Sequence, residues 1–195
     1  LWQSQSHSLL SLAKSDALVE LRAEEDGGMA HNYLIAEDDP DTQLLIQRAF
    51  KQADLSAPLY FTNDGQHAID YLAGQGTYAD RAQFPMPAIL LLDLKMPFRD
   101  GFEVLRWIRA EPRLRKLVVI MFSGSSLECD VEEAFNLGVN SFVMKPISFN
   151  ELLQVVMAIH HYWFGCNHFP QPDEGLSVPR ETGFVVARRE GVATA

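Results

Sequence analysis

Apolar runs and polar stretches alternate regularly between Asn32 and about Trp163. Tyr33-Leu34-Ile35-Ala36 forms a short apolar run that stops at Glu37-Asp38-Asp39-Pro40-Asp41. Pro40 suits the first turn of a helix, with Asp39 as its N-cap. Leu44, Leu45, Ile46, Phe50 and Leu55 then give that helix an apolar side. Leu59-Tyr60-Phe61 reads as a second strand, and Asn63-Asp64-Gly65 turns into a helix carrying Ala68, Ile69 and Leu72. An irregular stretch over 74–87, punctuated by Gly74, Gly76, Pro85 and Pro87, leads to Ala88-Ile89-Leu90-Leu91-Leu92. That run lacks any polar alternation, as expected of a strand buried on both faces, and it ends abruptly in Asp93. Gly101 opens a helix with Val104, Leu105 and Ile108 on one side and Trp107 as packing. A fourth strand covers 117–122 and ends at Ser123-Gly124-Ser125-Ser126. The helix after it runs through Ala134 and Leu137 to Gly138, a natural left-handed cap. Ser141-Phe142-Val143-Met144 is a fifth strand, ending at Lys145-Pro146, and a last helix over about 148–162 presents Leu152, Leu153, Val156 and Ile159.

Five strands alternating with helices of crossover length demand a doubly wound α/β fold, a parallel sheet covered on both faces. Residues 1–30 stand outside this pattern. A helix over about 8–25 that packs on the domain or on a partner is one reading, and a leader or appended segment ahead of a domain starting near Met29 is the other. The domain itself spans 31–165. Prolines 170, 172 and 179, with Gly175, Gly183 and Gly191, mark 166–195 as a tail too short for an output domain.

Composition narrows the function classes. The 195 residues carry a net charge of −10 with no basic cluster, which argues against a nucleic-acid surface. No run reaches the roughly 20 apolar residues that span a bilayer. Cys129 and Cys166 have neither metal spacing nor disulfide density, so Cys129 reads as a packing residue and Cys166 as a surface thiol. A cytoplasmic protein is expected. His160 and His161 read as surface residues compensating a helix C-terminus, and His67 and His168 as isolated.

The polar residues at the strand ends carry the chemistry. Parallel strands bring their C-termini to one edge, so Glu37, Asp38, Asp93, Ser123 and Lys145 converge there. Three carboxylates together repel unless a cation intervenes, and hard oxygen ligands suit Mg²⁺ or Mn²⁺. A lysine and a hydroxyl beside them form a receptacle for a phosphoryl group, with Asp93 as the candidate covalent nucleophile. No Gly-rich nucleotide cradle is present, so the phosphoryl group arrives on something other than a nucleotide.

With these residues in order, the chain resembles the receiver domain of two-component response regulators, the CheY-like family. Glu37-Asp38 resembles its acidic pair, Asp93 its phosphoacceptor, and Met96-Pro97 with Asp100-Gly101 the loop after it. Ser123 and Lys145-Pro146 complete the match, the last bond being usually cis in the family. The resemblance implies strand order 2-1-3-4-5 and phosphorylation of Asp93 by a histidine kinase or a histidine phosphotransfer protein. It also implies Mg²⁺ held by Glu37, Asp38, Asp93 and the backbone carbonyl of Lys95. Ser123 would then move toward the phosphoryl group and Phe142 would take the vacated room, shifting the last helices and strand. Phe142 reads equally as a plain core residue. Lys95 and Ser125 match positions that tune dephosphorylation. The long 74–87 loop and Tyr162-Trp163 resemble stand-alone receivers partnered with phytochrome-like sensor kinases, which often dimerise through the C-terminal face.

Catalysis on this reading is confined to self-phosphorylation from a phosphodonor and autodephosphorylation. The rival readings are a Mg²⁺-dependent phosphatase-like enzyme and a receiver-fold binding module that is not phosphorylated. Lys95, where such phosphatases carry a second acid, speaks against the first.

Overall fold

The computed structural model describes residues 31–169, so the helix expected over 8–25 and the tail beyond 169 lie outside the described residues. Five strands alternate with five helices: β1 Tyr33–Ala36, α1 Pro40–Gln52, β2 Leu59–Thr62, α2 Gly65–Ala73, β3 Ile89–Leu92, α3 Gly101–Ala110, β4 Val118–Ser123, α4 Glu128–Asn136, β5 Ser141–Met144 and α5 Phe149–His160. The sheet is wholly parallel in the order β2-β1-β3-β4-β5, so the expected doubly wound topology holds. Tyr33 pairs with Leu59 on one side and Ile89 on the other, which aligns the C-terminal ends of the three strands.

Strand residues alternate between two buried layers, as the period of two requires. Leu34, Ala36, Leu90, Leu92, Val119 and Met121 face Ala68 and Leu72 of α2, Val104, Leu105 and Ile108 of α3, and Ala134 of α4. Tyr33, Ile35, Ile89, Leu91, Val118 and Ile120 face Ile46, Ala49 and Phe50 of α1 and Leu152, Val156 and Ile159 of α5. The face of α1 differs from the expectation: Leu44 and Leu45 are exposed and Ala49 takes the core position. Ile46, Ala49 and Phe50 share one side at spacings of three and four, whereas Leu44 and Leu45 lie a turn's fraction away.

Caps fall where the polar residues are. Asp39 accepts from Asp41 N and Thr42 N, Asp64 from His67 N, and Asp100 and Ser148 each form a full capping box with Glu103 and Glu151. Gly138 adopts the expected left-handed conformation. The irregular 74–87 connection contains a short 3₁₀ turn, Gly76–Tyr78, and is pinned by Arg81, whose guanidinium donates to the carbonyls of Tyr71, Leu72 and Phe84.

Two assignments at the far end of the chain change. After His160 the helix widens into a π-helical segment, His161–Cys166. His160 is buried, not on the surface, and its Nδ1 lies 3.2 Å from the Tyr33 hydroxyl. Its position four residues after Val156 places it on the buried face of α5. Cys129 is exposed rather than packed, because α4 turns it away from the sheet; Cys166 is exposed as expected. Every peptide bond between described residues is trans, Lys145–Pro146 included, where the family resemblance implied cis.

Candidate functional site

The site lies at the C-terminal edge of the sheet. The ends of β1 and β3 are neighbours, with Asp93 N donating to Ala36 O at 2.9 Å and Glu37 N to Thr62 O at 3.0 Å. These ladder bonds fix the backbones from which Glu37, Asp38 and Asp93 project. Glu37 is 2 % exposed and Asp93 7 %, while Asp38 is open to solvent. One oxygen from each lies within 4.8 Å of the others, so the three expected carboxylates do meet.

Lys145 follows β5, its N–H donating to Ser123 O at 2.8 Å. From there its ammonium reaches Glu37 Oε2 at 2.7 Å and Asp93 Oδ2 at 3.0 Å. Burial pushes the Glu37 carboxyl above its ordinary pKa; the hydrogen bond and charge of Lys145 work in the opposite direction, and Asp93 adds to the rise. For Lys145 burial disfavours the charge, but the two carboxylates outweigh it and hold the ammonium above its usual pKa. The pit is thus a shared-cation arrangement with two nearly dry carboxylates.

The loop after Asp93 is tightly folded over the strand end. Asp93 Oδ1 accepts from Leu94 N at 2.8 Å, and Gly101 N donates to Leu94 O at 2.9 Å. A Cβ on Gly101 would stand 2.4 Å from Asp93 O, so only glycine permits this approach. Phe98 is held in the left-handed region at φ 63° and is 84 % exposed at the rim. Lys95 is exposed, with its backbone in this same loop.

Ser123 ends β4 fully buried, and its Oγ accepts from Ser125 N at 3.1 Å; no hydrogen bond joins it to Asp93. Ser125 is also buried, and its hydroxyl donates to Asp130 of α4. Phe142, paired with Met121 across β4 and β5, is half-buried against the α2–α4 layer.

Sequence reasoning missed Gln43 and Asp130. Gln43 Nε2 donates to Glu37 O at 2.6 Å and to Asn63 Oδ1 at 3.0 Å, bracing the acidic loop from the first turns of α1. A glutamine six residues past an acidic pair carries no distinctive signal. His67, read as isolated, pairs through Nδ1 with Asp64 Oδ2 at 2.6 Å as part of the α2 cap.

All oxygen donors of the pit are hard carboxylates, a set that fits a divalent cation of the Mg²⁺ or Mn²⁺ type. Among the described residues no helix is long and apolar enough to cross a membrane.

Residues 33–157 match the response regulator receiver domain. The chain is 36 % identical to the response regulator RPA3017 in red light signalling of R. palustris, covering 71 % of this chain and 97 % of that one with a TM-score of 0.69. The phosphorylated cyanobacterial phytochrome response regulator RcpA is 30 % identical, with coverages of 72 % and 99 % and a TM-score of 0.67. The Mn²⁺-bound form of Rcp1, a response regulator of Synechocystis, is 31 % identical, with coverages of 72 % and 99 % and a TM-score of 0.65. Together with the five-stranded topology and the lysine-bridged acidic pit, these findings show that the chain belongs to the receiver domain family of two-component response regulators and is closely related to its phytochrome-associated members.

Proposed function

We propose that this chain is a phosphorylatable switch whose Asp93 accepts a phosphoryl group from a phosphohistidine on a partner kinase or phosphotransfer protein. The observation that carries this reading is the convergence of Glu37, Asp38 and Asp93 on one point with the Lys145 ammonium between two of them. An Asp93 oxygen forms the new bond to phosphorus, the bond from phosphorus to the imidazole nitrogen breaks, and the leaving imidazole takes up a proton. Lys145, already beside Asp93 Oδ2, neutralises the charge that the phosphoryl oxygens bring. Glu37, Asp38, Asp93 and the Lys95 carbonyl would hold Mg²⁺, or Mn²⁺, which supplies charge neutralisation of the transferring group.

Ser123 then turns its hydroxyl to the phosphoryl group and Phe142 moves inward, repacking α4, β5 and α5. Its half-buried position against the α2–α4 layer supports this reading. Lys95 and Ser125 flank the path of the hydrolysing water and set how long the phosphoryl group persists. The relationship to phytochrome-associated regulators supports a sensor kinase of that type as the donor, and a cytoplasmic homodimer through the C-terminal face as the assembly.

Incubation with Mg²⁺ and acetyl phosphate is expected to add a single hydroxylamine-labile phosphoryl group, seen as an intact-mass increase and abolished in Asp93→Asn. Unchanged mass in the wild type, with divalent-cation binding confirmed and phosphohistidine donors also tried, would overturn the reading.

A further inference from the structure

The start of α4 is fastened in an unusual way. Its N-cap residue is Leu127, whose side chain cannot accept a hydrogen bond. In place of a cap, Ser125 Oγ accepts from Leu127 N at 3.4 Å and donates its proton to Asp130, the third residue of the helix. The other oxygen of Asp130 lies 3.9 Å from Cys129 Sγ, a weak contact. Ser125 N in turn donates to Ser123 Oγ at 3.1 Å. An unbroken polar chain therefore runs from the hydroxyl at the edge of the acidic pit to the first turn of α4. Packing holds this helix lightly, since Ala134 is its single buried residue. Its position is set to a larger degree by that tether than in α3 or α5, where three or more buried side chains share the work.

We propose that Asp130 is a positioning residue: through Ser125 it ties the first turn of α4 to the Ser123 hydroxyl, so that α4 follows the phosphorylation of Asp93. This rests on Asp93 being the phosphoacceptor. A Ser123 hydroxyl that swings toward the phosphoryl group carries away the acceptor of Ser125 N. The turn must then follow, and Ser125, bonded to Asp130, draws the helix start with it. Without the carboxylate, Ser125 reorients alone and α4 stays behind.

The test is hydrogen exchange by mass spectrometry on the full chain, with Mg²⁺ present, before and after acetyl phosphate. In the wild type, phosphorylation is expected to change exchange across 125–131 by about threefold or more. In Asp130→Ala that change is expected to fall to near onefold while intact mass still shows the phosphoryl group on Asp93; Asp130→Asn, which keeps an acceptor oxygen, is expected to restore it. Ser125→Ala, compared at equal phosphoryl occupancy, should lose the response too, and the double variant should lose no more than either single one. A merely structural role would raise exchange equally in both states and leave the ratio intact, which overturns the proposal. A phosphorylated wild type with no change across 125–131 overturns it as well. A wild type that takes up no phosphoryl group from any donor removes the reading of Asp93 and the coupling with it, and intact mass separates that result from the others.

Discussion

Lys145 illustrates how much one side chain decides here. Its ammonium stands between two carboxylates that are almost dry, at 2.7 and 3.0 Å. A buried ion pair of this kind is weak evidence for stability, because desolvation offsets the attraction. Its value lies in holding two acids close together at the sheet edge. Thr62 shows the opposite case: its Oγ1 is buried with no hydrogen-bond partner, although its backbone serves the β1 end. A stranded hydroxyl costs about 1 kcal/mol or more relative to an isosteric methyl. Thr62→Val is therefore expected to raise the urea midpoint by an amount worth about 1 kcal/mol, with acetyl phosphate uptake unchanged. A lowered midpoint would mean that the hydroxyl finds a partner in solution.

At the level of elements, the loop between β3 and α3 is tightly folded onto the strand end. Gly101→Ala would set a methyl group against the Asp93 carbonyl and push Asp93 out of place. Overpacking of this sort costs about 1–3 kcal/mol, so a fall of that size in stability is expected together with slower phosphorylation, measured by denaturant titration and by mass. Strands were readable because short apolar runs ending in polar residues and separated by helices of crossover length have few solutions other than a parallel sheet, whereas their order followed from the family resemblance. The converging residues Glu37, Asp38, Asp93, Ser123 and Lys145 were readable for the same reason, since all strand ends share one edge. Helix faces were harder. Leu44 and Leu45 look like core residues, yet the small Ala49 is the one that fits under the sheet. The Ser125–Asp130 bond was invisible because it depends on how the loop after β4 folds, and nothing in the spacing of two polar residues encodes that.

Taken together, the described residues have an acidic head and an aromatic foot. At the foot, His160 is buried against Tyr33 and Phe164, with His31 and His161 as the other imidazoles nearby. Burial, with smaller contributions from His31 and His161, pushes the His160 pKa down to about 4 from its usual 6.5. Below pH 6.5 the unfolded chain takes up a proton that the folded one refuses, so stability falls progressively as the pH drops toward 4. The loss approaches about 3 kcal/mol at the acid end of that window. Urea midpoints of His160→Gln are expected to fall less between pH 7 and 4.5 than those of the wild type, whatever the variant's stability at neutral pH; equal slopes would assign the acid sensitivity elsewhere. The foot has one more consequence. His31, where the described chain enters, stacks on Phe164, close to where it leaves, with ring centroids 4.4 Å apart. Entry and exit are thus side by side and at the pole opposite the acidic site. The described fold can be spliced into a longer polypeptide, or its ends joined and reopened elsewhere, without either connection having to cross the acidic edge.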